Sequence, residues 1–223
     1  MRLRPLLVAA VLVLAVQLGL SVWAWGQIPA GELVPVHWDV SGSPDGFASK
    51  PWGLFGLPLI TLAVAGLLAV VPRIEPRRAN LERSSKAYLT VAVSTLLFLA
   101  AVHVFAVLSA TGATLSAGWL TLPLSALFVA AGVAMRRIRP SWLFGFRTPW
   151  TLTSELSWRR THEVGSRAFV AVGAAGPLVF LLGGPQAALW VLVGGVVCVS
   201  VALVPFSYLV WRRDPDRQGS SGS

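Results

Sequence analysis

Long apolar runs dominate this chain and alternate with short polar segments. Six of the runs contain no Asp, Glu, Lys or Arg, and they lie at residues 6–25, 52–71, 87–109, 119–135, 168–182 and 187–211. A helix rises about 1.5 Å per residue, so about 20 residues cross the roughly 30 Å hydrocarbon layer of a bilayer. The pattern therefore predicts an all-α polytopic membrane protein with six transmembrane helices.

The C-terminal part of the pattern carries two further signals. The fifth run is short for a bilayer, so we predict that its helix begins within the preceding polar stretch, at Val164 or earlier. A tight turn is predicted at 183–186, between the fifth and sixth runs. The tail at 214–223 is polar and rich in Gly and Ser, which predicts disorder.

Two polar islands separate groups of apolar runs. The first, at 35–50, contains the Gly, Pro and Asp residues typical of turns and is predicted to be a loop. The second, at 145–167, is the longest polar run in the chain. We predict an N-terminal two-span region at 1–86 that carries the first island, and a four-span region at 87–213 that carries the second.

Composition supports a membrane protein, and charge sets its predicted orientation. Hydrophobic residues make up 55% of the 223 residues and charged residues 12%, so a soluble domain would lack enough polar surface. A cytoplasmic N-terminus places every lysine and arginine except Lys50 on the cytoplasmic side, as basic loops prefer. We therefore predict a multi-pass membrane protein with both termini on the cytoplasmic side. The net charge of +9 is then topological and does not indicate direct nucleic-acid binding.

The first island lies outside the cell in this orientation and is called the outer island. It contains candidate metal ligands. Imidazole and carboxylate groups at His37, Asp39 and Asp45, with His103 from the third span, are competent to hold a divalent cation. One alternative is a loop packed on the membrane surface by Trp38, with His103 hydrogen-bonded to a neighbouring helix. Another is a ligand or peptide contact site without metal. No cofactor is predicted.

The second island lies on the cytoplasmic side and is called the inner island. It has the features of an amphipathic helix. Thr148 and Pro149 form a good helix start, since the hydroxyl can cap and proline fits the first position. If the helix continues, Glu155, Arg159 and His162 share one face, and the first two can pair. This face is predicted to be a docking surface or a gate, or alternatively an anchor to anionic membrane lipids.

Motifs that would indicate an enzyme are absent from the sequence. The chain has no H-E-x-x-H, no G-x-S-x-G and no Walker glycine loop. Its one cysteine, Cys198, lies in an apolar run, so no intramolecular disulfide can form. We therefore predict a protein that is not an enzyme.

The inner island resembles the signature of the SdpI family of bacterial immunity proteins. Residues 145–152, GFRTPWTL, are followed by Trp158 and by the Thr161-His162 pair, as in the family pattern. The outer island, with P-x-H-W at 35–38, is similar to a domain of unknown function commonly fused ahead of that signature. Asp39 departs from this pattern, in which Asn is commoner, so a role that needs a carboxylate there is not implied.

The resemblance implies a protein of the bacterial cytoplasmic membrane that confers immunity to a secreted toxic peptide. It also implies a second role, in which a cytoplasmic repressor is held at the membrane. It implies peptide contacts outside and partner contacts inside. The outer candidates are His37, Trp38, Asp45 and His103, and the inner candidates are Arg147, Thr148, Pro149, Trp150, Glu155, Trp158, Arg159 and His162. A transporter of a small toxic compound and a membrane metalloprotein or enzyme are the alternative functions.

Overall fold

The computed structural model describes residues 1–39, 42–113 and 115–217. Its elements in chain order are α1 (Arg4–Trp25), β1 (Leu33–Trp38), β2 (Pro44–Ser49), α2 (Lys50–Ile74), α3 (Arg78–Arg83), α4 (Ser85–Ala110), a 3-10 turn (Ala117–Leu120), α5 (Thr121–Met135), α6 (Pro149–Leu152) and α7 (Glu155–Arg212). The described chain is thus mostly helical, as the apolar runs predict.

Five helices in the described residues are long and apolar enough to cross a membrane. They are α1, α2, α4, the 3-10 turn continued into α5, and α7. Large apolar side chains cover their outward surfaces, and Leu182 for example is 81% exposed. Exposed apolar surface of this extent is typical of helices that face lipid. The chain is therefore a multi-pass membrane protein.

The last helix, α7, is a hairpin of two arms. Its backbone leaves the helical conformation at Gly184, where φ is 80° and ψ is 177°. The Ser157 hydroxyl donates to the carbonyl of Ser207 over 2.8 Å, and Gly176 packs against Leu192. The arms at 155–183 and 185–212 are therefore antiparallel neighbours. The turn predicted at 183–186 is confirmed, and the fifth predicted helix begins at Glu155, within the predicted limit.

The first polar island folds as a β-hairpin, so the prediction of a loop is wrong there, while the described chain as a whole is mostly helical. β1 pairs antiparallel with β2, with Leu33 opposite Ser49 and Val34 opposite Ala48. Val34 is buried against α2, where a Cβ added to Gly53 would lie 2.5 Å from the Val34 Cβ. The hairpin forms because one strand has this apolar anchor and a glycine on α2 makes room for it.

The interior is built from small apolar clusters that surround α4. One cluster joins α1, α2 and α4 through residues that include Leu6, Ala65 and Leu96. Another joins α4 and α5 to the first arm of α7 through residues that include Met135 and Trp158. α4 therefore packs on helices from both predicted regions, while α5 packs along α7.

The chain directly after α7 is ordered around Asp214. Asp214 is buried and accepts a 2.5 Å hydrogen bond from the Ser154 hydroxyl at the start of α7. The Asp216 amide donates to the other carboxylate oxygen of Asp214 over 3.1 Å. The predicted disordered tail is therefore wrong at Asp214, and its last part, 218–223, lies outside the described residues.

Candidate functional site

His162 organises the inner island from within the fold. Its Nε2 lies 3.0 Å from the amide nitrogen of Phe146, and its Nδ1 lies 2.8 Å from the carbonyl of Trp158. An amide N–H donates and a carbonyl accepts, so these partners assign the proton to Nδ1 of a neutral imidazole. Both ring nitrogens are thus engaged inside the protein, and His162 is only 2% exposed.

Trp158 and Gly145 complete the packing around this imidazole. The Trp158 ring stacks on His162 with centroids 4.2 Å apart, and its Nε1 donates to the Ile138 carbonyl over 2.9 Å. Gly145 has φ of 114°, and an added Cβ would lie 2.8 Å from His162 Nε2. Only glycine combines this backbone conformation with so close an approach.

Thr148 starts α6 and also ties it to the second arm of α7. Its hydroxyl accepts from the Thr151 amide over 3.1 Å, and the Thr151 hydroxyl accepts from the Thr148 amide over 2.8 Å. The same Thr148 oxygen lies 3.0 Å from the Ser207 hydroxyl. The predicted cap at Thr148 and Pro149 is confirmed, and the side chain of Thr148 is buried.

Glu155, Arg159 and His162 lie on α7 at the predicted spacing, but they do not form one exposed surface. The helix that begins at Pro149 ends at Leu152, and α7 begins separately at Glu155. Glu155 and Arg159 are exposed, whereas the segment 144–146 covers His162. His162 therefore presents no surface to a partner in this structure.

Ion pairing on α7 also differs from the prediction. No pair between Glu155 and Arg159 is found among the described residues. Glu163 instead lies 3.4 Å from an Arg160 guanidinium nitrogen and 2.8 Å from that of Arg167. Because these groups are on the exposed side of the helix, their pairing contributes little to stability.

Glu75 is the residue of this site that sequence reasoning missed. It follows α2 directly, is 3% exposed, and its Oε1 accepts from the amides of Arg77 (2.8 Å) and Trp142 (3.0 Å). Its Oε2 accepts from the Ser141 hydroxyl and the Leu143 amide, each over 2.8 Å. Burial raises the pKa of Glu75, but these hydrogen bonds outweigh burial and lower its pKa below the ordinary value. The carboxylate is therefore held ionised.

Further bonds extend the contact between the connector 75–84 and the segment 139–152. The Arg77 guanidinium donates to the Leu152 carbonyl over 3.1 Å and covers the Trp142 ring. Asn80 donates to the Pro140 carbonyl over 2.9 Å. The connector therefore positions the inner island from outside it. The available sequence signal was an acidic residue four positions after an apolar run, in a connector that is basic apart from Glu75 and Glu82.

The outer hairpin carries an exposed pair between His37 and Asp45. Their Nδ1 and Oδ1 atoms lie 2.5 Å apart. Trp38 packs edge-on against Phe105 of α4, with ring centroids 4.9 Å apart. The Asp39 carboxylate accepts from the Ser43 amide over 2.9 Å. Within 1–39, 42–113 and 115–217, no group of three or more His, Cys, Asp or Glu side chains could hold a metal.

Comparison with known proteins gives two family matches, in separate parts of the chain. Residues 137–209 match the SdpI/YfhL protein family, and residues 12–62 match a domain of unknown function, DUF1648. The chain therefore carries an SdpI-family region preceded by a DUF1648 region. It is 26% identical over 149 residues to the "Immunity protein SdpI" of Bacillus subtilis (strain 168), covering 64% of this chain and 66% of that relative. No solved structure matches the chain.

The SdpI-family region thus contains both buried and exposed members of its signature. Thr148, Trp158 and His162 are buried, so they hold the loop in place and do not form its surface. Pro149 and Arg147 are exposed, and Arg147 donates to the Trp142 carbonyl over 2.7 Å. Trp150 is half-buried against Tyr208. Partner contacts at Arg147, Pro149, Trp150, Glu155 and Arg159 stay a prediction.

His103 lies between the DUF1648 and SdpI matches in the sequence. In the structure it belongs to a buried polar network. Its Nε2 is 3.1 Å from both the Gln17 carbonyl and the Ser21 hydroxyl. Gln17 Nε2 donates to the Thr61 hydroxyl over 3.1 Å and to the Leu99 carbonyl over 3.2 Å. His103 therefore joins α4 to α1 and does not belong to an outer pocket with His37. The alternative of a hydrogen bond to a neighbouring helix is confirmed.

Proposed function

We propose that this chain is an immunity protein of the bacterial cell membrane that protects its cell from a secreted toxic peptide. The proposal is carried by one observation: the SdpI-family region closes into an ordered loop around His162, in a chain related to a protein named for immunity. This relative covers 64% of the chain, and the chain spans 66% of the relative's length.

The proposed topology has six crossings with both termini cytoplasmic. The two antiparallel arms of α7 provide the fifth and sixth crossings beside α1, α2, α4 and α5. The distribution of lysine and arginine favours this orientation, since Lys50 alone falls outside. The hairpin then faces the exterior, where a secreted peptide arrives, and the SdpI signature faces the cytoplasm.

Helix α2 offers a direct mechanical link between these two faces. It begins at Lys50, immediately after β2, and ends at Ile74, immediately before Glu75. At one end Val34 of the hairpin packs against Gly53, and at the other Glu75 holds the backbone of Trp142 and Leu143. We propose that a peptide bound at the hairpin shifts α2 and thereby moves the inner loop. Exposed Arg147 and Arg159 would then contact a cytoplasmic repressor.

Expression in a sensitive bacterium tests immunity directly. Cells that produce the protein are challenged with the secreted peptide fraction of a producer strain, and survival is measured with the membrane content of the protein confirmed. We expect protection by the native protein and loss of protection by the His37→Ala, Asp45→Asn double variant. Glu32→Gln, an exposed change near the hairpin, is the control that should retain it. Unchanged killing of cells with the native protein contradicts the proposal.

The cytoplasmic role is tested separately in the same cells. Arg147→Gln with Arg159→Gln removes two exposed inner charges that do not touch the hairpin. If the inner face holds a repressor, this double variant keeps immunity but loses crosslinking to a cytoplasmic protein in peptide-treated cells. Crosslinking equal to that of the native protein contradicts a partner site at these arginines.

A further inference from the structure

A shallow groove lies on the outward face of α1, near its N-terminal end. The groove has a volume of about 580 Å³ and is lined by Arg2, Arg4, Pro5, Val8, Ala9 and Leu12. The opposite face of α1 is in the protein interior, where Leu6, Ala10 and Val13 are buried. Val8 and Leu12 are 50% and 61% exposed, so the groove opens toward the surroundings of the helix bundle.

The two ends of this groove differ in chemistry. Its lining is almost wholly apolar along Val8, Ala9 and Leu12, while the exposed residues Arg2 and Arg4 border its N-terminal end. Neither arginine forms a hydrogen bond or an ion pair with another residue of the described chain. The carboxylate of Glu82 does not neutralise them, because it lies 3.1 Å from the Met1 amine and 3.3 Å from Arg78 Nε. The positive charge at the mouth of the groove is therefore available to an external anion.

We propose that this groove binds one anionic phospholipid. The phosphate group lies between Arg2 and Arg4, because guanidinium groups match phosphate oxygens in charge and in hydrogen-bond geometry. An acyl chain lies along Val8, Ala9 and Leu12, which a free phosphate ion would leave uncovered. The site goes beyond the proposed immunity function and does not depend on it.

Lipid titration of the purified protein, followed by native mass spectrometry, tests this site. The native protein should retain phosphatidylglycerol in preference to phosphatidylcholine. In the Arg2→Gln, Arg4→Gln double variant the ratio of the two retained lipids should fall about tenfold. The matched control is Arg212→Gln with Arg213→Gln, which removes the same charge at the end of α7. We expect the control to keep the preference of the native protein. Equal losses in the two double variants would overturn the proposal, since they would show a general charge effect.

Two further measurements separate a lipid site from a simple anion site. Ala9→Trp fills the apolar part of the groove and leaves both arginines in place, so it should also reduce phosphatidylglycerol retention. Inorganic phosphate at millimolar concentration should not displace the lipid. Displacement by phosphate, or full retention in Ala9→Trp, would contradict the acyl-chain part of the site. Circular dichroism of every variant checks that the helical content is unchanged.

Discussion

At the scale of single residues, the imidazole of His162 and the carboxylate of Glu75 determine the conformation of the inner island and of the segment before it. His162 accepts from Phe146 and donates to Trp158, so the ring is a bridge between a loop and its own helix. Glu75 accepts four hydrogen bonds from residues that the sequence places up to 68 positions away. Buried polar groups of this kind are costly unless every partner is present. These residues are therefore sensitive to small changes.

Gly145→Ala is expected to destabilise the protein by about 1–3 kcal/mol. The new methyl group would meet His162 Nε2 at 2.8 Å, and alanine disfavours the φ of 114°. Thermal unfolding in detergent measures the change. Gly66→Ala is the control, because nothing lies within 4 Å of its added Cβ and its position is inside α2. The expectation is contradicted if the two variants unfold at the same temperature.

The ionised Glu75 carboxylate should stabilise the folded protein, and this stabilisation should be lost in acid. Its pKa in the folded protein is lowered from 4.5, so the folded state favours the ionised form. The stabilisation is then complete above the unfolded pKa and is lost as the pH falls through the lowered folded pKa. Denaturant unfolding between pH 7 and pH 3 should show this loss in the native protein.

The variant Glu75→Gln isolates this stabilisation. The glutamine side chain is neutral, and its NH2 group cannot accept the hydrogen bonds that the second carboxylate oxygen accepts. We therefore expect the free energy of unfolding to fall by about 2–4 kcal/mol at pH 7. The difference between the native protein and the variant should shrink as the pH falls below 4.5. Glu155→Gln, on the exposed start of α7, should change neither quantity. A pH-independent difference would show that Glu75 is not ionised in the folded state.

At the scale of elements, small residues determine how closely α5 and the two arms of α7 approach. A Cβ added to Gly132 would lie 2.8 Å from Val170, and one added to Gly173 would lie 2.9 Å from backbone atoms of α5. In a bilayer no hydrophobic drive brings helices together, so close backbone approach through glycine provides the contact. The packing of α7 on α5 therefore depends on these positions.

Gly176→Leu should separate the arms of α7 from α5. The added side chain would meet the Ser125 hydroxyl, and its Cβ would lie 2.9 Å from Leu192. We expect a loss of about 2–4 kcal/mol and faster proteolysis of the loops around α7. Gly194→Leu is the matched control on the second arm, where nothing lies within 4 Å of an added Cβ. Equal proteolysis rates in the two variants would contradict this account of the packing.

At the scale of the whole molecule, the hairpin and the SdpI signature lie at opposite ends of α2. The hairpin contacts the start of α2, and the inner loop is held by Glu75 just after its end. With 25 residues, α2 is long enough to cross a bilayer, so the proposed topology places the two sites in different compartments. The proposed sensing of an external peptide requires this separation.

Cysteine labelling in intact cells should confirm this sidedness. In a Cys198→Ser background, Glu32→Cys near the hairpin should react with a membrane-impermeant maleimide added outside. Glu155→Cys at the start of α7 should react only after lysis, because we place it in the cytoplasm. Both positions are exposed, so a lack of reaction reports sidedness and not burial. The reverse pattern of labelling would contradict the proposed orientation.

The sequence by itself determined the helices, the distribution of basic residues among the segments between them, and the resemblance to the SdpI family. Each apolar run satisfies its own backbone hydrogen bonds as a helix, so the signal for a helix lies within the run. The polar islands have no such local rule. Residues 35–50 were predicted as a loop because the contact between Val34 and Gly53 that anchors the hairpin is not visible in composition.

Only the tertiary structure decided which polar residues are structural and which are exposed. Helix spacing placed Glu155, Arg159 and His162 together, but the loop at 144–146 covers His162 alone. Glu75 gave almost no local signal, since its partners at 141–143 belong to a distant segment. The physical reason is the same in both cases: burial and hydrogen bonding of polar groups depend on residues that the chain brings together only on folding.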